Sequence, residues 1–251
     1  SNGDEARYSE KDKLLAARMH KAITMILFKL EGQKILRNPS FGMNDRLLLD
    51  KIDYERGTVR IGDADYPMED LDFPTVDPKD PYALTPEEDA LITQLTRSFL
   101  YSQKLQRHVR FLYSKGSLYK VFNGNVLFHG CIPMTEDGEF LKLSIGCKEL
   151  SGKAFLDYAD LTARRAYYSK PGSDERQFGM DFLWWLWAGR NSPIFGRDRM
   201  TTFERRFIKD EDTWTEPKNA YYRLYNDPQV CDRILKEFGL EGEHCHIING
   251  H

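Results

Sequence analysis

The sequence has little of what marks several large classes of protein. Its 251 residues carry a formal net charge of −3, whereas a dedicated nucleic-acid-binding protein shows a basic excess or a basic stripe. No apolar run approaches the roughly 18 residues that a membrane span requires, and the N-terminus shows no signal-peptide pattern. These absences predict a cytoplasmic protein that binds neither nucleic acid nor a membrane.

Cysteine is scarce and scattered. The four cysteines form no Cys-x-x-Cys pair, so the sequence indicates neither a disulfide framework nor a zinc knuckle. An initiator methionine is also missing, because the chain begins Ser-Asn-Gly, and it stops directly after a short apolar run. We therefore expect the chain to be a segment of a longer protein.

A β-hairpin is the clearest local structure in the sequence. Asn123-Gly124 separates two apolar runs within residues 118–134, and both turn residues tolerate the positive φ that a type I′ turn requires. The second of these runs ends in His129-Gly130, and the chain ends in a further apolar run that closes on Gly250-His251. Ligands converge at the carboxyl ends of strands in α/β sheets. His129 and His251 are therefore candidate metal ligands, the alternative being histidines that only end a strand.

Two long helices are predicted in the first half of the chain. Apolar residues recur at helical spacing over residues 10–36. Thr85-Pro86-Glu87-Glu88 combines a capping residue, a proline in the first turn and a glutamate that completes a capping box. It predicts a helix that reaches Tyr113 and buries four apolar residues: Leu91, Leu95, Phe99 and Leu105.

The second half of the chain adds shorter helices. Thr201 with Glu204 is a further capping box, and Asn226-Asp227-Pro228 begins the last helix. The helix predicted over residues 174–188 is aromatic on more than one face, which is typical of deep packing or of a covered interface. With roughly seven helices against few strands, the sequence predicts a helix-rich α/β or α+β fold.

Two runs resemble motifs of a known superfamily. Phe-His-Gly-Cys-Ile-Pro at 128–133 and Ile-Ile-Asn-Gly-His at 247–251 are similar to the later metal-ligand motifs of the calcineurin-like metallophosphoesterases. Longer runs resemble class III fructose-1,6-bisphosphatase, the Firmicutes and Bacteroidetes type. These runs cover residues 29–33, 45–54, 73–82, 201–204 and 218–219. The resemblance extends over nearly the whole chain.

The resemblance implies a fold and an activity. It implies a partial metallophosphoesterase β-sandwich core with a large helical insertion, with residues 4–113 forming the insertion and residues 114–251 the later part of the core. It also implies a manganese-dependent hydrolase of gluconeogenesis, which converts fructose 1,6-bisphosphate to fructose 6-phosphate and phosphate. By position, His129 and His251 would be ligands of a two-metal Mn²⁺ site.

The chain departs from the family pattern in its earlier motifs. The Asp-x-His, Gly-Asp and Gly-Asn-His-Asp motifs of the family are missing. Gly62-Asp63 resembles the start of the second motif and Gly124-Asn125 the start of the third, but neither is followed by the residues that the family pattern requires. The family's candidate catalytic acid, the histidine of Gly-Asn-His-Asp, is therefore missing too, and we assign no catalytic residue within this chain. Two imidazoles without bridging carboxylates cannot hold a metal pair. We expect the chain to be inactive alone.

A bisphosphate substrate also needs cationic groups around the phosphate that does not react. Lys153 lies at a predicted helix start, and Arg197, Arg199 and Arg205 lie around another. These four residues are candidate substrate contacts, and solvated surface charge is the alternative for each of them.

Two other functions are compatible with the same residues. The aromatic helix over 174–188 would suit a regulatory or assembly module without catalysis, and another calcineurin-like phosphoesterase would share the histidine motifs. A partial core would also expose sheet edges that favour pairing between copies. A homo-oligomer is therefore a further hypothesis.

Overall fold

A computed structural model describes residues 10–145 and 148–250 as a mixed helical and sheet protein. Its helices are α1 (Glu10–Arg37), α2 (Pro86–Tyr101), α3 (Gln103–Lys115), α4 (Gly152–Tyr168), α5 (Asp174–Ala188), α6 (Thr202–Phe207), α7 (Tyr221–Leu224) and α8 (Pro228–Glu237). Its strands are β1 (Ile52–Asp53), β2 (Thr58–Ile61), β3 (Ala64–Pro67), β4 (Tyr119–Phe122), β5 (Asn125–His129), β6 (Leu143–Ile145), β7 (Lys148–Leu150) and β8 (His246–Gly250). The predicted mixture of helices and few strands is confirmed. No helix in these ranges has the length and apolar character needed to cross a membrane.

The strands form three small sheets within the described ranges. Strands β1, β2 and β3 form an antiparallel sheet, and β6 pairs with β7 in antiparallel orientation. In the third sheet β5 lies in the centre, antiparallel to β4 and parallel to β8. A parallel pair needs a crossover connection, and here the whole chain from β6 to α8 provides it. This third sheet carries the candidate site.

Two apolar cores hold these elements together. The larger core contains Met25 and Phe28 of α1, Phe73 of the proline-rich loop (residues 70–85), and Phe182 and Trp185 of α5. The smaller core lies under one face of the β4–β5–β8 sheet and includes Val126, Phe128, Ile132, Tyr221 and Ile234. The larger core draws residues from both sides of the boundary predicted between 113 and 114, and the division of the chain into two domains stays a prediction.

The aromatic residues of α5 are used mainly for packing. Phe182 and Trp185 are buried, with their rings stacked at 5.7 Å between centroids. Trp184 is partly buried against the same core, and its indole N–H donates to Glu31 at 3.4 Å. Trp187 is the aromatic side chain of this helix that stays exposed. The helix is thus chiefly a core element.

A buried lysine joins three segments of the larger core. The side chain of Lys29 on α1 is completely inaccessible to solvent, and its Nζ atom lies 2.7 Å from a carboxylate oxygen of Glu88. The same ammonium donates to the carbonyl of Thr75 at 2.5 Å. Glu88 also accepts from the Thr85 N–H at 2.9 Å, which confirms the predicted capping box at the start of α2. Helix α1, the proline-rich loop and the start of α2 are therefore fixed to one another.

The rest of α2 differs from the prediction. The helix expected to reach Tyr113 breaks at Ser102, whose hydroxyl accepts the Leu105 N–H and begins α3. The expected burial is also wrong, because Leu91, Leu95 and Phe99 are 42%, 39% and 63% exposed and Leu105 is only half-buried. An apolar stripe indicates a face that some surface covers, and within the described ranges this chain does not supply that surface.

The capping box predicted at Thr201 is wrong as well. The Glu204 carboxylate accepts two hydrogen bonds from the Arg46 guanidinium, at 2.7 and 2.9 Å, and does not reach back to the helix start. The Thr201 hydroxyl donates to the Trp214 carbonyl at 3.0 Å. Thr201 does occupy the N-cap position of α6, but its side chain makes no capping hydrogen bond, because both members of the box make tertiary contacts.

Glu31 lies at a small cavity of about 50 Å³ inside the larger core. Part of the residue contacts solvent, but its surroundings at the cavity include Phe28, Ile35, Trp184 and Phe203. Burial among these apolar side chains disfavours the charged carboxylate. It raises the pKa of Glu31 to about 7.

Replacing Lys29 tests the buried ion pair. Lys29→Met leaves the Glu88 carboxylate buried without its cation, so we expect the free energy of unfolding to fall by about 3 kcal/mol. Lys236→Met removes an exposed pair with Asp232 and should cost less than about 1 kcal/mol. Urea unfolding followed by circular dichroism measures both. Equal, small losses for the two variants would contradict this role of Lys29.

Glu31 gives the chain a specific pH dependence. The folded chain holds the Glu31 proton up to about pH 7, whereas the unfolded chain releases it near 4.5. The free energy of unfolding should therefore decrease as the pH rises between these two values. Glu31→Gln should flatten this slope and stabilise the chain above pH 7 by on the order of 2 kcal/mol. Glu55→Gln, at an exposed position, is the control, and unchanged slopes in both variants would contradict the assignment.

Candidate functional site

The hairpin that begins the site forms as the sequence predicts. Asn123 and Gly124 have φ values of 50° and 74°, and Phe122 pairs directly with Asn125 across the turn. Two positive φ values in a two-residue loop are those of a type I′ turn, whose twist matches the strands. The turn fixes the register so that Lys120 lies opposite Leu127 and Tyr119 lies opposite Phe128.

Strand β8 brings the last part of the chain to the end of this hairpin. It pairs with β5 in parallel, and the register places Phe128 beside Asn249 and His129 beside Gly250. The Gly130 N–H then donates to the Gly250 carbonyl at 3.0 Å, and the Asn249 side-chain amide donates to the Gly130 carbonyl at 3.0 Å. The carboxyl ends of the two strands are therefore joined directly after His129.

The backbone of residues 193–194 packs against the turn that follows His129. The Cys131 N–H donates to the Pro193 carbonyl at 2.8 Å, and Gly130 has a φ of 77°. A Cβ atom at Gly130 would lie 2.2 Å from the Pro193 carbonyl oxygen and 2.9 Å from that of Ile194. Only glycine fits this position, because the backbone is left-handed and a neighbouring backbone passes against it.

Asn219 supports the continuation of the same strand. Its side-chain oxygen accepts from the Met134 N–H and from the Tyr221 N–H, both at 3.0 Å. Its amide nitrogen donates to the Asn191 side chain at 3.2 Å. Asn219 thus ties the segment after His129 to the 189–200 loop and to the start of α7.

His129 projects from the open face of the sheet. Alternate residues Val126 and Phe128 point into the smaller core, whereas His129 is exposed. It lines an open groove of about 1000 Å³ together with Lys115, Lys120, Leu127, Ile194, Ile248 and Asn249. The other predicted metal ligand, His251, lies outside the described residues, so the position of its side chain stays a prediction.

His129 alone does not make a metal centre. Within residues 10–145 and 148–250, no group of three or more His, Cys, Asp or Glu side chains is placed to hold an ion. An imidazole at the end of a strand is a suitable single donor for a divalent transition metal. A metal pair would therefore require donors beyond those that the described residues supply.

Three of the predicted substrate cations contact neighbouring groups of the chain, and two of them, Arg197 and Arg205, are joined through Glu216 and Thr201. Arg197 pairs with Glu216 at 3.1 Å, and Arg205 donates to the Thr201 hydroxyl at 3.1 Å and to the Trp214 carbonyl at 3.0 Å. Arg199 pairs with the adjacent Asp198 at 2.7 Å. Their charges are largely matched by carboxylates and carbonyls of the same region.

Lys153 occupies a different place. At the start of α4 its ammonium lies 2.6 Å from Asp157 and 5.6 Å from the centre of the Tyr119 ring. Neither Lys153 nor the three arginines line the groove at His129, and their role as substrate contacts stays a prediction.

The cations that do share the groove with His129 were not among the candidates from the sequence. Lys115 ends α3, and Lys120 lies on the open face of β4. The two-residue turn already sets Lys120 opposite Leu127, two residues before His129, so hairpin register could have identified it. Asn249 was also missed, although a polar side chain within an apolar terminal run is a usable signal.

Comparison with known proteins identifies the family of this chain. The model of the Firmicute fructose-1,6-bisphosphatase family matches residues 1–251, and the chain belongs to that family. No solved structure matches the chain, so the metallophosphoesterase core has no support from structural neighbours.

Several relatives carry the name fructose-1,6-bisphosphatase class 3. The protein of Listeria innocua is 50% identical over 250 residues, which are 100% of this chain and 38% of that protein. The proteins of Clostridium novyi and Clostridium tetani are 54% and 53% identical, over 94% and 96% of this chain and 36% and 37% of their own lengths. The chain thus spans little more than a third of the relatives that it matches.

Substituting Gly130 tests the close approach next to His129. Gly130→Ala would force either the turn or the 193–194 backbone to move, and we expect a loss of at least about 3 kcal/mol in the free energy of unfolding. Gly62→Ala is a matched control, since its φ of 57° is also positive but nothing lies within 4 Å of the added Cβ. The control should lose only about 1 kcal/mol. Similar losses in the two variants, measured by thermal unfolding, would show that the contact with Pro193 is unimportant.

Proposed function

We propose that the whole protein to which this chain belongs hydrolyses the 1-phosphate of fructose 1,6-bisphosphate and releases fructose 6-phosphate and phosphate. The family match and the class 3 relatives support this activity. The single observation that carries the proposal is the parallel pairing that sets His129 beside Gly250, because it joins the two motifs that resemble metal-ligand motifs.

We also propose that the whole protein is a manganese enzyme of the cytoplasm with a metallophosphoesterase core. His129 and His251 would be two of its metal ligands, and the missing donors would come from outside the described residues. Bound metal ions of this kind supply positive charge and an activated water to phosphate-ester hydrolysis. The residues of this chain provide the position of one imidazole, held at Gly130 and Cys131 by three hydrogen bonds.

The groove at His129 suits a phosphorylated sugar. Lys115 and Lys120 line it, and neither forms an ion pair with a described carboxylate. Ammonium groups without a carboxylate partner are available to a phosphate group. We propose that these two lysines, rather than the internally paired arginines, attract the bisphosphate toward His129.

The test compares this chain with the full-length protein. Phosphate release from fructose 1,6-bisphosphate with added Mn²⁺ should be measurable for the full-length protein and absent for residues 1–251 alone. In the full-length protein, His129→Ala should lower kcat at least about 100-fold, whereas His20→Ala, on the exposed part of α1, should leave it unchanged.

Other results would contradict the proposal. Turnover by residues 1–251 at the full-length rate would show that the missing donors are unnecessary. An unchanged kcat in the His129→Ala variant would show that His129 is not a metal ligand and only ends its strand. A full-length protein that prefers another phosphate ester in substrate profiling would indicate a different phosphoesterase of the same family.

A further inference from the structure

Helix α2 presents an apolar stripe that the described chain leaves uncovered. Leu91, Leu95 and Phe99, here called the α2 stripe, are spaced by four residues and lie along one side of the helix. Their exposed fractions are 42%, 39% and 63%. The first turn of α2 is fixed through Glu88 to Lys29, whereas every residue from 93 to 101 is exposed. The helix therefore projects from the body with its apolar side open.

Charge is strongly segregated along the chain at this helix. Residues 61–89 contain ten Asp and Glu residues and one Lys, and residues 90–135 contain six Lys and Arg residues and no Asp or Glu. The first turn of α2 carries the exposed carboxylates of Glu87 and Asp89. Beyond its other end, α3 carries the exposed cations of Lys104 and Arg107. The α2 stripe thus lies between an acidic and a basic end.

We propose that the α2 stripe is a dimer interface, in which α2 of one copy packs antiparallel against α2 of a second copy. A two-fold axis near Leu95 would place Leu91 of each copy against Phe99 of the other. It would also bring Glu87, which lies four residues before Leu91 on the same side of α2, toward Lys104 and Arg107 of the other copy. Such a patch is self-complementary, as a two-fold interface requires.

Charge complementarity favours a second copy over other occupants. An apolar stripe alone would accept many surfaces, but this one is acidic at one end and basic at the other. Among the described residues, Glu87, Lys104 and Arg107 form no ion pair. The partner surface must carry the same pattern in reverse, and α2 itself does so when it is inverted. Antiparallel helices also oppose their dipoles favourably.

The first experiment places a charge in the centre of the stripe. Sedimentation velocity of residues 1–251 over a concentration series should show a reversible dimer. Leu95→Glu should raise the dimer Kd at least about tenfold, because it buries a carboxylate against its symmetry mate. Thr93→Glu is the matched control, since it adds the same charge on the opposite side of α2 and should change Kd less than about twofold. Far-UV circular dichroism shows that both variants remain folded.

The second experiment tests the direction of the helices. The variant Glu87→Lys has two basic ends, and the variant Lys104→Glu with Arg107→Glu has two acidic ends. Each variant alone should dimerise roughly tenfold more weakly, because like charges oppose one another across the axis. A one-to-one mixture should recover the parental affinity, since every basic end then meets an acidic end.

Two results would overturn the proposal. A monomer at all concentrations would assign the α2 stripe to another partner, such as the remaining polypeptide of a longer protein. A dimer that tolerates Leu95→Glu, or whose charge variants do not recover on mixing, would place the interface elsewhere or orient the helices differently.

Discussion

The parallel contact between β5 and β8 is the constraint on which the candidate site depends. It joins two short segments that are far apart in sequence and brings their carboxyl ends within hydrogen-bonding distance, at Gly130 and Gly250. The helices between them must pack so that this contact can form, and the 193–194 backbone must pass directly over Gly130. Small shifts in any of these segments would move the imidazole of His129 relative to the end of β8.

The features predicted correctly from the sequence are those that short-range chemistry determines. Asn123-Gly124 gives the hairpin and its register because positive φ at both positions leaves one favourable turn. Thr85 and Glu88 begin α2 because their side chains satisfy the N–H groups of the first turn. The sequence also places His129 at the end of its strand. These outcomes require only neighbouring residues, so the rest of the fold does not alter them.

The features that sequence reasoning missed depend on distant contacts. Glu204 does not cap its helix because Arg46, far away in the chain, takes the carboxylate. The spacing of Leu95 and Phe99 indicates that one side of α2 is apolar, but it cannot say which surface covers that side. Sequence reasoning did not find the cations at the groove for the same reason, since ion pairs such as Arg197 with Glu216 form only in the folded chain.

The order of the strands has a consequence for how the site forms during synthesis. The hairpin of β4 and β5 is local and can fold as soon as it leaves the ribosome. Strand β8 is synthesised only after α4, α5 and α8, and its pairing with β5 requires closing a loop that contains all of them. Contacts between residues so distant in sequence form slowly. Until they form, β5 has an unpaired edge next to His129, which is a surface on which nascent chains can pair wrongly or chaperones can act.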